Sequence, residues 1–297
     1  MQCLLSVMKI MLSNDKPTTS ISAMRYESEF IGYLDQRRGK IISNTGGWFP
    51  GKGVFSHGHS MLDDLVGKKS YFQILVLNAT GKLVERALAD WLEAAYACLS
   101  WPDSRIWCNQ IGALAGSVRT SVAAATAMGS LAADSRIYGS FTIVGGMEFI
   151  QGALVQHKKG MSAEEIVNNV ESVKSGKPLI VGYFRPIAKG DERIVAMERV
   201  SKDLGFSVGK HLALAYQVED VLRNAYDESM NINGYASAFL SDQGFSPQEA
   251  YQMVTMLVAS GVTACYVDTL HRPADTFLPL RCEDIDYQGE ALRAVPE

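Results

Sequence analysis

Residues Lys177–Arg193 read KPLIVGYFRPIAKGDER. An apolar run (Leu179, Ile180, Val181) passes through Gly182 and Pro186 into a Lys-Gly-Asp-Glu-Arg turn, and a long helical pattern follows. Glycine supplies backbone freedom and proline fixes φ, so the stretch reads as an ordered connection rather than a helix interior. Arg185, Lys189 and Arg193 put three cations within nine residues. Two readings fit them: a loop that holds a phosphorylated or carboxylate ligand, and a solvated basic turn capped by Asp191.

The 297 residues around this stretch suffice for one large domain or two modest ones. Hydrophobic residues make up 47% and charged residues 20%, the balance of a globular chain with a sizeable core. A net charge of −4 argues against a nucleic-acid partner. Five scattered cysteines (Cys3, Cys98, Cys108, Cys265, Cys282) form no C-x-x-C pair, which argues against a zinc site or disulfide framework and fits a reducing cytoplasm. The start, MQCLLSVMKIML, lacks a basic opening and a cleavage site, so it does not read as a secretory signal. Residues 1–27 read as a flexible tail, with Met8, Met11 and Met24 as alternative starts. No run reads as a membrane span, so no membrane partner is expected.

Outward from the opening stretch the pattern is helical. Residues 28–56 alone, with Gly46, Gly47, Gly51 and Gly53 among short apolar pieces, read as short strands and turns. His57 and His59 follow, without an acidic or cysteine partner at ligand spacing, so no metal is expected. Lys82–Leu99 places Leu88, Leu92, Ala95 and Leu99 on one helix face. Asn109–Ala133, rich in Ala, Gly, Ser and Thr, reads as a close-packed, buried helix pair. Ser162 and Glu165 form a capping-box start for a helix running to about Ser175. Ser246 and Glu249 form another, with Pro247 at the first helical position, leading into Met253, Met256, Leu257 and Ser260. The chain therefore reads as almost all-α, with ten or more helices and a few short N-terminal strands. It has no Walker loop, no G-x-S-x-G and no G-x-G-x-x-G between a strand and a helix.

Several stretches in order resemble the citrate synthase superfamily, including its citryl-CoA lyase members. Gly182-Tyr-Phe-Arg185 with Asp191-Glu-Arg193 resembles the family's Gly-His-Arg…Asp-Pro-Arg motif. Asn231-Ile-Asn-Gly-Tyr-Ala-Ser237 resembles Asn-Val-Asp-x-x-Ser-Gly, and Gly244–Glu249 the helix start that follows it. Arg281 through Gly289 resembles the family's ending, and Gly58–Gly67 an upstream element. Gly112–Ala133 is similar to the helices before the family's His-Gly-Gly-Ala motif. The resemblance spans roughly residues 40–290, and the length is nearer the short citryl-CoA lyase type. It implies a large helical domain (28–179 with 273–297), a small domain (180–272) with hinges near Gly182 and Gly234, and a homodimer whose interface includes Gly112–Ala133.

The resemblance implies a site as well. Arg193 and Arg281 match two carboxylate-holding arginines, with Arg281 reaching across from the partner subunit, and Arg185 adds a third cation. Gly182, Phe184 and Lys189 fall on the loop that borders a coenzyme A thioester. The third arginine position is Val258, so the ligand would carry fewer carboxylates than citrate. The catalytic positions differ more: the family's two histidines and aspartate correspond to Tyr138, Phe184 and Asn233. An amide takes up no proton at neutral pH, whereas a tyrosine hydroxyl can donate to an oxyanion. Two functions follow. One is an enzyme that forms or cleaves a carbon–carbon bond between an acyl-CoA and a 2-oxo acid, using Tyr138, Asn233 and Arg193. The other is an inactive homologue that binds a CoA thioester or carboxylate, or partners an active paralogue.

Overall fold

The computed structural model describes residues 29–135, 138–172, 176–185 and 189–296. The expected tail 1–27 lies outside the described residues, as do Arg136 and Ile137 before Tyr138, the expected helix end near Ser175, and Pro186. The described residues form two compact units, 29–58 and 59–296.

In the first unit a helical segment over 29–35 precedes an antiparallel hairpin. Its strands are β1 (Gly46–Phe49) and β2 (Gly53–Ser56), paired from Gly46↔Ser56 to Phe49↔Gly53. Gly51 and Gly53 take positive φ at the turn, and Phe49 meets Phe55 edge-on at 5.8 Å. The strands read from the glycine-punctuated sequence are present.

The second unit opens with β3 (His59–Ser60) and one π-helical turn, Met61–Leu65. Eleven α-helices follow among the described residues. They are α1 (Tyr71–Thr80), α2 (Arg86–Leu99), α3 (Trp107–Ser117), α4 (Val122–Ala133), α5 (Thr142–Lys158), α6 (Ala163–Asn168), α7 (Glu192–Asp203), α8 (Lys210–Tyr226), α9 (Ile232–Asp242), α10 (Pro247–Val254) and α11 (Ala259–Leu270). The Ser162/Glu165 and Ser246/Glu249 capping boxes form as read, and Pro247 opens α10. Three boundaries differ. The helix expected from Lys82 starts at Arg86; α6 ends at Asn168, not near Ser175; and turns at 255–258 separate α10 from α11.

That last break bears on the membrane reading. Contrary to the sequence reading, Pro247–Leu270 taken as one stretch is long and apolar enough to cross a membrane. The break leaves helices of 8 and 12 residues, each shorter than the ~20 a span needs. Both pack inside the fold, α10 on α1 and α5, α11 on α3 and α4.

The main core gathers side chains from α1, α2 and α5–α10. Trp91 of α2 lies at its centre, stacked on Phe239 of α9 at 4.0 Å. Its Nε1 donates to Ser201 Oγ (2.8 Å), which also bonds the Tyr235 hydroxyl (2.9 Å). A buried indole N–H needs such a partner. A second layer forms where α11 lies on α3 and α4. There a Cβ on Gly112 would stand 2.5 Å from Val262 O, and one on Gly116 2.3 Å from Tyr266 O. Small residues let these backbones touch, as the composition implied. The expected burial holds on one face only: Leu114, Val118, Val122, Met128 and Leu131 point to solvent.

Candidate active site at the starts of three helices

The helices α5, α7 and α9 begin around the segment Ile180–Arg185, and short polar bonds fix the arrangement. Gly182 has φ +100°, and a Cβ there would lie 2.6 Å from Gly234 Cα, so only glycine fits. Its carbonyl accepts from Asn231 N (2.8 Å). Asn231 caps α9, accepting from the N–H groups of Asn233 (2.9 Å) and Gly234 (3.2 Å), while its Nδ2 donates to Phe184 O (2.6 Å). Asn233 sits within the first turn, and its Nδ2 donates to Thr142 O at the start of α5 (3.2 Å). A Cβ on Gly146 would lie 2.3 Å from Ser237 Oγ and 3.0 Å from Asn233 Nδ2, so α5 and α9 touch here. Ser237 Oγ is buried without a hydrogen-bond partner among the described residues.

Asp191 ties α7 to α9. Its side chain is fully buried, caps α7 by accepting from Arg193 N (3.2 Å), and accepts from Ile232 N (2.8 Å) at the start of α9. The Arg193 guanidinium closes on it through Nε and Nη2, both at 2.7 Å. Burial alone would raise the Asp191 carboxyl, but the bonds from Arg193 and from the Ile232 N–H outweigh it and hold it below the ordinary carboxylate range. Arg185 forks onto Glu192 (2.6 and 3.1 Å) and donates to Gly190 O. The hydrogen bond from Arg185 leads in pulling the Glu192 carboxyl down to about 2. Lys189 pairs with Asp227, and Lys177 with Glu228 at 2.7 Å. The four cations Lys177, Arg185, Lys189 and Arg193 thus face the four carboxylates Asp191, Glu192, Asp227 and Glu228.

Tyr138 lies just before α5. Ser135 holds its backbone at N (3.0 Å) and O (2.8 Å), and its ring tilts against Trp107 at 5.4 Å. Gly139 follows at φ +85°, where a Cβ would run into Ala133 O. The Tyr138 ring is partly exposed, and its hydroxyl has no hydrogen-bond partner among the described residues. The structure therefore brings Gly182, Phe184, Arg185, Arg193 and Asn233 to one junction and leaves Tyr138 four residues from Thr142. Arg281 is apart: its backbone N–H donates to Asp284 (2.7 Å), its side chain is exposed, and among the described residues no contact joins it to the junction. Sequence reasoning missed Asn231, Thr142 and Ser237; the Asn-x-Asn-Gly spelling was a capping signal for Asn231. The site has hydrogen-bond donors for a developing oxyanion. Among the described residues Asp191 is spent on its own bonds, and no free carboxylate or imidazole faces Asn233.

Two surface hollows, of about 510 and 450 Å³, lie around Phe206 and Ser207, near the far ends of α5 and α9. None of the expected site residues lines them.

No protein-family model matches the sequence, and no curated protein matches it. Solved structures do. A citryl-CoA lyase from Hydrogenobacter thermophilus superposes with a TM-score of 0.72 at 22% identity, covering 86% of this chain and 97% of that one. ATP citrate lyase from Methanothrix soehngenii, solved with citrate and coenzyme A, gives 0.70 at 16% identity over 97% of this chain, which spans about half (48%) of that enzyme. Citrate synthase from Thermoplasma acidophilum, solved with carboxymethyl coenzyme A and oxaloacetate, gives 0.56 at 16% identity over 77% of this chain and 59% of that one. The chain has the helical fold shared by citryl-CoA lyase and the citrate synthases.

Proposed function

We propose that this protein handles a coenzyme A thioester at the junction of α5, α7 and α9, and makes or breaks a carbon–carbon bond between an acyl-CoA and a 2-oxo acid. The observation that carries the reading is the fold match to citryl-CoA lyase over nearly that enzyme's whole length, with the three helix starts assembled by direct bonds. In this reading Gly182, Phe184 and Lys189 border the thioester. Tyr138 and the Asn233 amide donate to the enolate or alkoxide oxygen, and Arg193 with Arg281 orients the carboxylate. Removal of one such donor typically lowers rate by about two to three powers of ten. The working unit is a cytoplasmic homodimer joined through the exposed apolar face of α3 and α4, with Arg281 crossing between subunits. Residues 180–272 act as a small domain that moves over the ligand.

The missing base supports a second reading, a thioester-binding protein without turnover. One assay separates the two. The purified protein is given acetyl-CoA with oxaloacetate or pyruvate, and separately citryl-CoA, while free thiol and thioester are followed. Turnover that falls at least about a hundredfold in Tyr138→Phe and Arg193→Ala supports the enzyme. Saturable CoA-thioester binding without any turnover supports the second reading, and neither binding nor turnover refutes both. Sedimentation of Leu131→Asp tests the dimer, which this substitution should split.

A further inference from the structure

The larger of the two hollows, about 510 Å³, lies outside the junction and carries charges of its own. Its ionisable lining comes from three helices: Lys158 from the last turn of α5, Lys210 and His211 from the start of α8, and Asp242 from the end of α9. Asp242 is mostly buried and already engaged. One oxygen accepts from His211 N and from His211 Nδ1 (both 2.9 Å), the other from Leu212 N (3.0 Å). Burial would raise its carboxyl, but the bonds from His211 and from the Leu212 N–H hold it below the ordinary carboxylate range. Gly209 permits this approach, since a Cβ there would stand 2.2 Å from the Asp242 carboxyl carbon.

An ionised carboxylate only accepts, so it fixes the imidazole with a proton on Nδ1. Among the described residues Nε2 has no hydrogen-bond partner, and it is open to solvent on a ring that lines the hollow. Lys158 and Lys210 are exposed and have no ion-pair partner among the described residues, whereas Lys177, Arg185, Lys189 and Arg193 each meet a carboxylate. With Asp242 committed to His211 and the start of α8, the two ammonium groups leave the hollow with a cationic excess.

We propose that this hollow binds the phosphoryl group of a phosphomonoester. A monocarboxylate would answer one ammonium and leave the other; a phosphoryl dianion matches both and keeps an oxygen for Nε2. His211 serves either protonation state: a protonated Nε2 donates to a phosphoryl oxygen, and a neutral one accepts from P–OH. The hollow is wider than a phosphate, and Phe206 gives the organic remainder an apolar wall. Neither the two lysines nor His211 take part in the thioester reading above.

The test is a proton NMR titration of the full chain at fixed pH and ionic strength, following the His211 Cε1–H signal, assigned by its disappearance in His211→Gln. The probes are inorganic phosphate, glycerol 3-phosphate and acetate. Both phosphates should give a saturable shift with a Kd of about 1 mM or tighter, and acetate should bind at least about tenfold more weakly. Lys158→Ala and Lys210→Ala, both at exposed positions, should each weaken phosphate binding at least about fivefold. Lys202→Ala, on the second hollow, should leave it unchanged. Absence of a saturable shift with either phosphate overturns the proposal. So does equal affinity for acetate, full retention of binding in both Lys158→Ala and Lys210→Ala, or an equal loss in Lys202→Ala. Added CoA separates two sources of the phosphoryl group. Displacement of phosphate by CoA supports the site and assigns it to the coenzyme's 3′-phosphate; phosphate binding that CoA does not displace supports it for a separate phosphomonoester.

Discussion

Glycine does different work in the α3–α4–α11 layer and at the α5–α7–α9 junction. In the layer, Gly112 and Gly129 face Val262, and Gly116 faces Tyr266 and Thr269, so helices meet by shape. Thr269 Oγ1 adds a bond to Ala113 O (2.6 Å). At the junction, Gly182 faces Gly234, but direction comes from Asp191, Asn231 and Asn233, each bridging two elements. Close packing tolerates little added volume but is indifferent to pH. The polar junction is as tight at Gly182 and Gly146, and it also fails when a charge or cap is lost. The region where ligand chemistry is expected is thus the one whose geometry depends on ionised groups.

The largest expected effect breaks the junction. Asp191→Ala would leave the Arg193 guanidinium and the Ile232 N–H without their buried acceptor, and should destabilise by about 3–5 kcal/mol in urea unfolding. A loss below about 1 kcal/mol would show that the junction, like the layer, is held by packing. Gly112→Ala tests the layer: its Cβ would stand 2.5 Å from Val262 O, and the overpacking should cost about 1–3 kcal/mol at every pH. Asn231→Ala removes the α9 cap and the tether to Phe184, with an expected loss of about 1 kcal/mol. Faster hydrogen exchange at Asn233 and Gly234 would locate that loss.

The smallest effect concerns pH. The folded Glu192 carboxyl is pulled from 4.5 to about 2, so its contribution is complete above about 4.5 and disappears as pH falls through about 2. The side chain is largely exposed, so solvent screening holds the contribution under about 1 kcal/mol. Glu192→Gln should therefore lower stability slightly at pH 5, with the deficit vanishing toward pH 2. A deficit that grows on acidification would refute the Arg185–Glu192 pairing.

Much of the fold was legible because its signals are local. Capping boxes at Ser162 and Ser246 announce α6 and α10 within four residues, and the glycines of 46–53 announce a hairpin. Helix ends were less legible. Hydrophobic spacing runs on through Met256 and Leu257, yet the chain turns at 255–258 to place α11 on α3 rather than on α10's own partners. The ordered motifs also carry the likeness to the citrate synthase fold.

By itself the sequence determined helix content, several helix starts and Asp191 as a cap. Only the tertiary structure decided what the basic loop does. Its arginines find their carboxylates within a few residues, but Lys189 meets Asp227 from 38 positions away, Asn231 reaches Phe184 across 47, and Asn233 reaches Thr142 across 91. Charge and hydrogen-bond partners depend on distances of a few ångströms, and chain spacing sets those only within a turn or two of helix. A stretch that reads as three available cations is therefore, once folded, a neutral surface with a phenylalanine facing outward.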